Sequence, residues 1–449
     1  MWFVCRPVCV LATVSLYALA VAPHAGAEDL NVDDPVESSD VDSGTMPAPP
    51  PPAFQTLSNA NSPLLRRTRQ QNADPYAAQG LRLGSFTLFP TLETGMAATS
   101  NVGQAAKGAK ADAGLLLKPG LEIESNWSRH QFSASLSGEA VRYLREEKLS
   151  TYGVDAKANL RLDVRRGTAL DVETGYELIS TGASDSEVPD TAVSDQISHV
   201  LTAGIAAEHE AGFADLRLGT GVRRELYDNV KLSGGGIEDN GDRDFVEPSV
   251  TLRGTFNRGA MLRPFLEASY APRIHDQSTD RNGLRRDSKG YAATLGLRID
   301  DDPLWSGEVG LTYLVRDYED PTLATESAPG LLANLQWRPT ELSKVDLSAG
   351  MTIDETSDAA SGGKPTWIAS AKITHALRDN LDLLSGVSFS TSDTSGGRDN
   401  TYSASAGLDW KLNPLISWSL LYEGEWGDSP GSSSDYNEQR LLAGIILKR

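Results

Sequence analysis

The 449 residues carry 61 acidic against 41 basic side chains, a formal charge of −20 and a pI near 4.8, a balance that opposes nucleic-acid binding. Only 39% of the residues are hydrophobic, and no apolar run approaches the roughly 20 residues of a membrane helix, so a helical membrane protein is excluded. Both cysteines, Cys5 and Cys9, lie near the N-terminus, which removes disulfides and thiolate metal sites from the rest of the chain.

The first segment reads as a targeting signal over residues 1–27. Arg6 supplies the positive charge, Val8 to Val21 the apolar stretch, and Ala25-Gly26-Ala27 the small-residue cleavage site. Arg-Pro-Val precedes Cys9, so no lipoprotein anchor is expected. Residues 28–79 read as a disordered, acidic and proline-rich periplasmic segment of a Gram-negative cell. Asp33, Asp34, Glu37, Asp40 and Asp42 precede Pro47 and the run Pro49 to Pro52, an extended polyproline II spacer with too few apolar groups to offset the entropy of ordering. Arg66, Arg67 and Arg69 then form a basic spot. The segment is expected to be a solvated linker. The sharper alternatives are a periplasmic docking segment, or a plug for a pore.

From residue 80 the period changes to two. Tyr152, Val154, Ala156, Ala158, Leu160, Leu162 and Val164 alternate with Asp155, Lys157, Asn159, Arg161, Asp163 and Arg165. After Arg166-Gly167 the series resumes as Leu170, Val172, Thr174, Tyr176 and Leu178 against Asp171, Glu173, Gly175 and Glu177. Such alternation is the signature of a strand with one apolar and one polar face. It recurs to the end of the chain.

About eighteen strands are predicted, starting near Ser85, Ala113, His130, Ser150, Thr168, Gln196, Phe213, Phe245, Ala260, Ser288, Leu304, Gly330, Lys344, Thr366, Leu381, Thr401, Leu415 and Asn437. Tight turns such as Arg166-Gly167, Asn257-Arg258-Gly259 and Asn413-Pro414 alternate strictly with long polar stretches such as Asp228 to Asp244 and Asp276 to Asp287. The predicted fold class is all-β: a transmembrane antiparallel up-and-down barrel over residues 80–449, turns and both termini on the periplasmic side, loops outside, surrounded by outer membrane lipid. Aromatics support it against a soluble sandwich. On the apolar face Tyr152, Tyr176, Tyr270, Tyr291, Tyr313, Trp367, Tyr402 and Trp426 gather near the loops, and Trp305, Trp337, Trp410 and Trp418 near the turns, which makes two interfacial girdles.

The polar faces then line the interior. The candidate lumen residues are Asp155, Arg161, Asp163, Arg165, Asp171, Glu173, Glu177, Arg217, Arg223, Glu247, Arg253, Glu267 and Glu308. They read both as cross-strand ion pairs that hold the wall and as the lining of a wet, mildly acidic conduit. No catalytic constellation, cofactor site or metal site is expected, and the chain is not read as an enzyme. His199, His209 and His375 fall on the lipid side or near turns, and Glu238-Asp239-Asn240-Gly241-Asp242 lacks the full calcium-loop pattern and reads as a solvated loop. Nothing in the pattern sets the oligomeric state.

The segment Gly80-Leu81-Arg82-Leu83-Gly84-Ser85-Phe86-Thr87-Leu88-Phe89-Pro90-Thr91-Leu92-Glu93, followed by Gly95 and Asn101, resembles the first strand of the outer membrane β-barrels grouped as putative β-barrel porin 2. That resemblance implies an integral outer membrane protein without catalytic residues, whose expected role is export of an extracellular polysaccharide. A general diffusion porin and a structural or adhesive barrel with a closed lumen are the alternatives. Many barrels end in an aromatic assembly signal. This chain departs from them, with Leu441, Ala443, Ile445 and Leu447 followed by Lys448-Arg449.

Overall fold

The computed structural model describes residues 75–181, 188–189, 191–300, 302–356, 358, 360–394, 396–429 and 435–449. The targeting segment and nearly all of the expected periplasmic arm lie outside the described residues.

Eighteen antiparallel strands close into a barrel. They are β1 (Phe86–Thr99), β2 (Asp112–Ser125), β3 (Gln131–Tyr143), β4 (Thr151–Arg165), β5 (Thr168–Thr181) and β6 (Gln196–Ala211). Then come β7 (Ala214–Tyr227), β8 (Phe245–Thr255), β9 (Leu262–His275), β10 (Ser288–Ile299), β11 (Trp305–Tyr318) and β12 (Glu326–Thr340). The last six are β13 (Ser343–Asp354), β14 (Lys364–Arg378), β15 (Leu381–Thr394), β16 (Gly397–Asn413), β17 (Ile416–Asp428) and β18 (Tyr436–Lys448). Each strand pairs with the next, and β1 meets β18 in register from Thr91↔Lys448 to Thr99↔Arg440, so the sheet has no free edge where the chain closes. A short extra strand, Leu81–Leu83, folds back on the start of β1.

The alternation seen in the sequence places every second residue outward. Leu311 and Leu295, register partners on β11 and β10, are 71% and 65% exposed, an apolar band that no aqueous domain would leave uncovered. Aromatics pair at both ends of this band. Trp305 stacks on Trp337 with centroids 5.4 Å apart at the turn end, and Tyr270 meets Tyr291 at 5.2 Å near the loop end.

Strand starts fall within four residues of those predicted, the largest offsets being at β12 and β16. At β16 a polar stretch zips into strand instead of forming a loop. The β15–β16 ladder runs to Thr394↔Gly397, leaving only residues 395–396 between them. Thr391 Oγ1 donates to Asn400 Oδ1 at 2.8 Å, and Arg398 Nε to Asp393 Oδ1 at 2.6 Å. The expected strict alternation of short and long connections therefore fails at this one hairpin. Period-two serines and threonines are as strand-competent as apolar residues when the other face carries the packing.

At β12 the reason is different. Pro329 suggests a break before Gly330, yet the strand begins at Glu326. β12 pairs with β11 from Trp305↔Trp337 to Arg316↔Glu326, but with β13 only from Ala333↔Ala349 to Thr340↔Ser343. Pro329 lies where β12 lacks a partner on its β13 side, so its missing N–H forfeits no ladder bond. Its carbonyl accepts a 2.8 Å hydrogen bond from Trp367 Nε1 of β14, the strand beyond β13.

Candidate pore interior

The inward side chains form two kinds of wall. Along β4–β11 the wall is ionic. Arg161 on β4 faces its register partner Asp171 on β5 at 3.0 Å and reaches Glu208 on β6 at 3.1 Å, while Arg217 on β7 closes on the other oxygen of Asp171. Arg253 on β8 bonds Glu308 on β11 at 2.6 Å and Glu267 on β9 at 3.4 Å, with its guanidinium 3.9 Å from the centroid of the Phe265 ring. Arg273 and Arg316 share Glu247 at 2.9 and 2.8 Å, and Glu247 and Arg316 are each 1% exposed. Charges this deep persist only when paired, because an isolated buried ion costs several kcal/mol.

The other candidates sit at the margins of these networks. Asp155 pairs with Lys157 at 2.9 Å, and Asp163 lies 3.7 Å from Arg161. Arg223 bonds Glu225 at 2.6 Å on its own strand. Glu173 and Glu177 are half-buried on β5, opposite Asn159 and Asp155. Arg165 does not join the interior. A register shift between Asp163 and Arg165 brings it opposite Thr168 at the exposed turn, where its Nε donates to Thr168 Oγ1 at 3.3 Å.

Along β13–β16 the wall is hydroxylic. Ser348 and Ser370 are 2.7 Å apart, Ser388 and Ser403 2.6 Å, and Thr366 and Ser392 3.0 Å, each pair on adjacent strands. Ser348 is exposed and Ser370, Ser388 and Ser403 are half-buried, so a solute inside the barrel can reach them. Charge returns near the turns, as in Lys411–Asp382 at 3.1 Å, and at the loop end, where Asp354 stands opposite Lys364.

Where β13 parts from β12, its upper end leans inward. Met351 and Ile353 pack against Leu314 and Ala328, which stand on the inner face of β11 and β12. A Cβ at Gly330 would lie 2.8 Å from the Met351 Cβ, so only glycine admits this approach. Beyond the strand, Glu355 is buried against Arg273 and lies 3.3 Å from His275 Nε2. On the other limb, Arg286 donates to the carbonyls of Asp358, Ser361 and Gly362 at 2.7, 3.1 and 3.4 Å. Glu355 and Arg286 have no local signature in the sequence, since they lie outside the strands and their partners are distant in the chain. Arg263, His275 and Arg316 are not among the expected lumen residues, although each continues the inward alternation that carries Glu267 or Glu308.

The acidic loop is ordered rather than solvated. The Arg281 guanidinium takes the place a cation would occupy. It pairs with Glu238, and bonds Asp242 at 2.7 and 2.9 Å and Asn240 at 2.8 Å. Burial alone would raise the Asp242 carboxyl, but the hydrogen bonds from Arg281 outweigh it and hold the group below its ordinary range. Among the described residues no cluster of metal-ligating side chains is present. His199, His209 and His375 bond Tyr176, Thr168 and Ser343 at 2.9 Å each, all structural contacts.

Residues 74–449, which include all eighteen strands, match the family described as Putative beta-barrel porin 2. The chain belongs to that family. It is accordingly a porin-like barrel of the outer membrane type. No curated protein matches the chain. Among solved structures it is similar to the outer membrane protein OpdK from Pseudomonas aeruginosa, at 12% identity and a TM-score of 0.40 over 81% of this chain and 99% of that one. It is also similar to the siderophore receptor PirA from Pseudomonas aeruginosa, at 10% identity and a TM-score of 0.37 over 80% of each chain. The corresponding receptor from Acinetobacter baumannii gives 8%, a TM-score of 0.40, and 81% and 80% coverage. Likenesses at this level say nothing about what this barrel carries.

Proposed function

We propose that this barrel is an outer membrane conduit for export of an extracellular polysaccharide. The observation that carries the reading is the pairing of two walls. On β4–β11 most of the charge is cancelled in ion pairs, and on β13–β16 uncharged hydroxyls stand in register along the barrel. A polymer of hydroxylated sugars needs many weak, exchangeable hydrogen bonds and no single tight site, which such a wall offers. In this reading the long loops face outward and the turns and both termini face the periplasm. The signal sequence delivers the chain there, and residues 28–79 are a linker, or the point of contact with a periplasmic export protein. The excess of acids over bases among the candidate lumen residues sets a mild preference for cations at low salt, and Glu173, Glu177, Arg217 and Arg223 are the first positions to test.

The family description favours a second reading, a general diffusion porin. Planar-bilayer recording of the purified barrel separates the two. A conduit for polysaccharide gives current that neutral oligosaccharides block in a length-dependent way. A diffusion porin gives current that they leave unblocked. A barrel with no current under any condition, including removal of residues 28–75, overturns both.

A further inference from the structure

The inward-leaning end of β13 contradicts its own sequence pattern. Val345, Leu347, Ala349, Met351 and Ile353 form one apolar stripe, and its lower members lie on the outer face. Carrying the β12–β13 register past Ala333↔Ala349 would set Leu331 beside Met351 and Pro329 beside Ile353, all facing outward. The ladder instead stops, and Met351 and Ile353 are buried inside the barrel, each 2% exposed. The strand therefore has two satisfiable arrangements. In one it is zipped to β12 with its stripe outward. In the other, the one observed, it is folded in, with Trp367 capping the Pro329 carbonyl and the ionic wall holding its tip.

We propose that the end of β13 with the residues after it (Gly350–Thr356), together with the residues that lead into β14 (Ser361–Lys364), is the gate of the pore. It hinges where the β12–β13 ladder ends, and it is latched inward by Arg273 and His275 on Glu355 and by Arg286 on the opposite limb. The proposal rests on the conduit reading. Folding inward fills the lumen with Met351, Ile353 and the tip. Zipping outward clears it and restores ladder bonds to the unpaired side of β12, whose exposed backbone groups are costly in lipid. Bistability comes from setting those bonds against the buried ion pairs.

The test records single channels from the full-length protein and three variants, with folding checked by heat-modifiable migration on gels. Glu355→Gln weakens the latch, and Gly330→Val expels Met351 from its seat. Each is expected to raise single-channel conductance about twofold or more. The pair Gly330→Cys with Met351→Cys, whose Cβ atoms would lie 2.8 Å apart on the unshifted backbone, ties the strand inward once the strands ease apart by about an ångström. Its oxidised form should carry little current, and reductant should restore it. If Glu355→Gln fails to fold, Gly330→Val and the cysteine pair still decide. A wild-type current that none of these changes alters overturns the gate and leaves the conduit standing. Absence of current in every protein, the latch and wedge variants included, overturns both.

Discussion

The inner faces of β8–β11 and of β13–β16 come from one continuous sheet with the same alternation, yet they solve the interior differently. In the first, Arg253, Glu267 and Glu308 are all below a tenth exposed and each needs the others. In the second, Ser370, Ser388 and Ser403 keep partial contact with the lumen and are satisfied by each other or by water. Burial is what separates them. A charge can stand in a filled interior only as part of a network, whereas a hydroxyl can stand in a wet one alone. The ionic wall is therefore read as the part that holds the barrel and anchors the gate, and the hydroxylic wall as the part a solute touches.

Substitution should expose that asymmetry. Arg253→Ala leaves two buried carboxylates facing each other without their cation, and is expected to lower stability by about 3–5 kcal/mol. Urea unfolding of the lipid-reconstituted barrel measures it, and a loss below about 1 kcal/mol would show that water already bathes that wall. Ser388→Ala removes one exchangeable hydrogen bond from a half-buried site and should cost about 0.5–1 kcal/mol in the same assay. A loss as large as that at Arg253 would erase the distinction.

The smallest effect lies outside the strands, in the β11–β12 connection. Thr322 Oγ1 donates to Asp320 at 2.6 Å, and the backbone N–H groups of Thr322 and Arg285 add bonds at 3.0 and 3.1 Å. These bonds, the Thr322 hydroxyl first, pull the Asp320 carboxyl from its ordinary 3.8 down to about 2. Because the folded value is depressed, the loop gains order above the ordinary value and loses it as pH falls from about 4 towards 2. Pepsin should nick the connection increasingly across that window while the barrel stays intact. Unchanged cleavage would show that these hydrogen bonds do not hold the loop.

Most of the barrel was legible because period two is a local signal. Strand β5 can be read from Leu170 to Leu178 without knowing its neighbours, and its two-residue turn makes it the partner of β4, but the exact pairing Arg161↔Asp171 is set by the register shift between Asp163 and Arg165. What escaped was non-local or broke the period. The bulge that removes Arg165 from the interior spans a single step. The union of Glu355 with Arg273 joins positions 82 residues apart. Pro329 precedes the expected strand start at Gly330, but whether a proline is tolerated there depends on which side of β12 lacks a partner, and that is a property of the closed sheet rather than of the strand.

The claim that the hydroxylic wall is the sliding surface is tested most directly by oligosaccharide block of single-channel current. Replacing Ser370, Ser388 and Ser403 by alanine together should leave open-channel conductance near that of the parent. Each lost hydrogen bond, at about 1 kcal/mol, should shorten the dwell time of a neutral oligosaccharide about fivefold. Block that persists unchanged in the triple variant, while Glu173→Gln or Arg217→Ala abolishes it, would contradict the account and move the solute to the ionic wall.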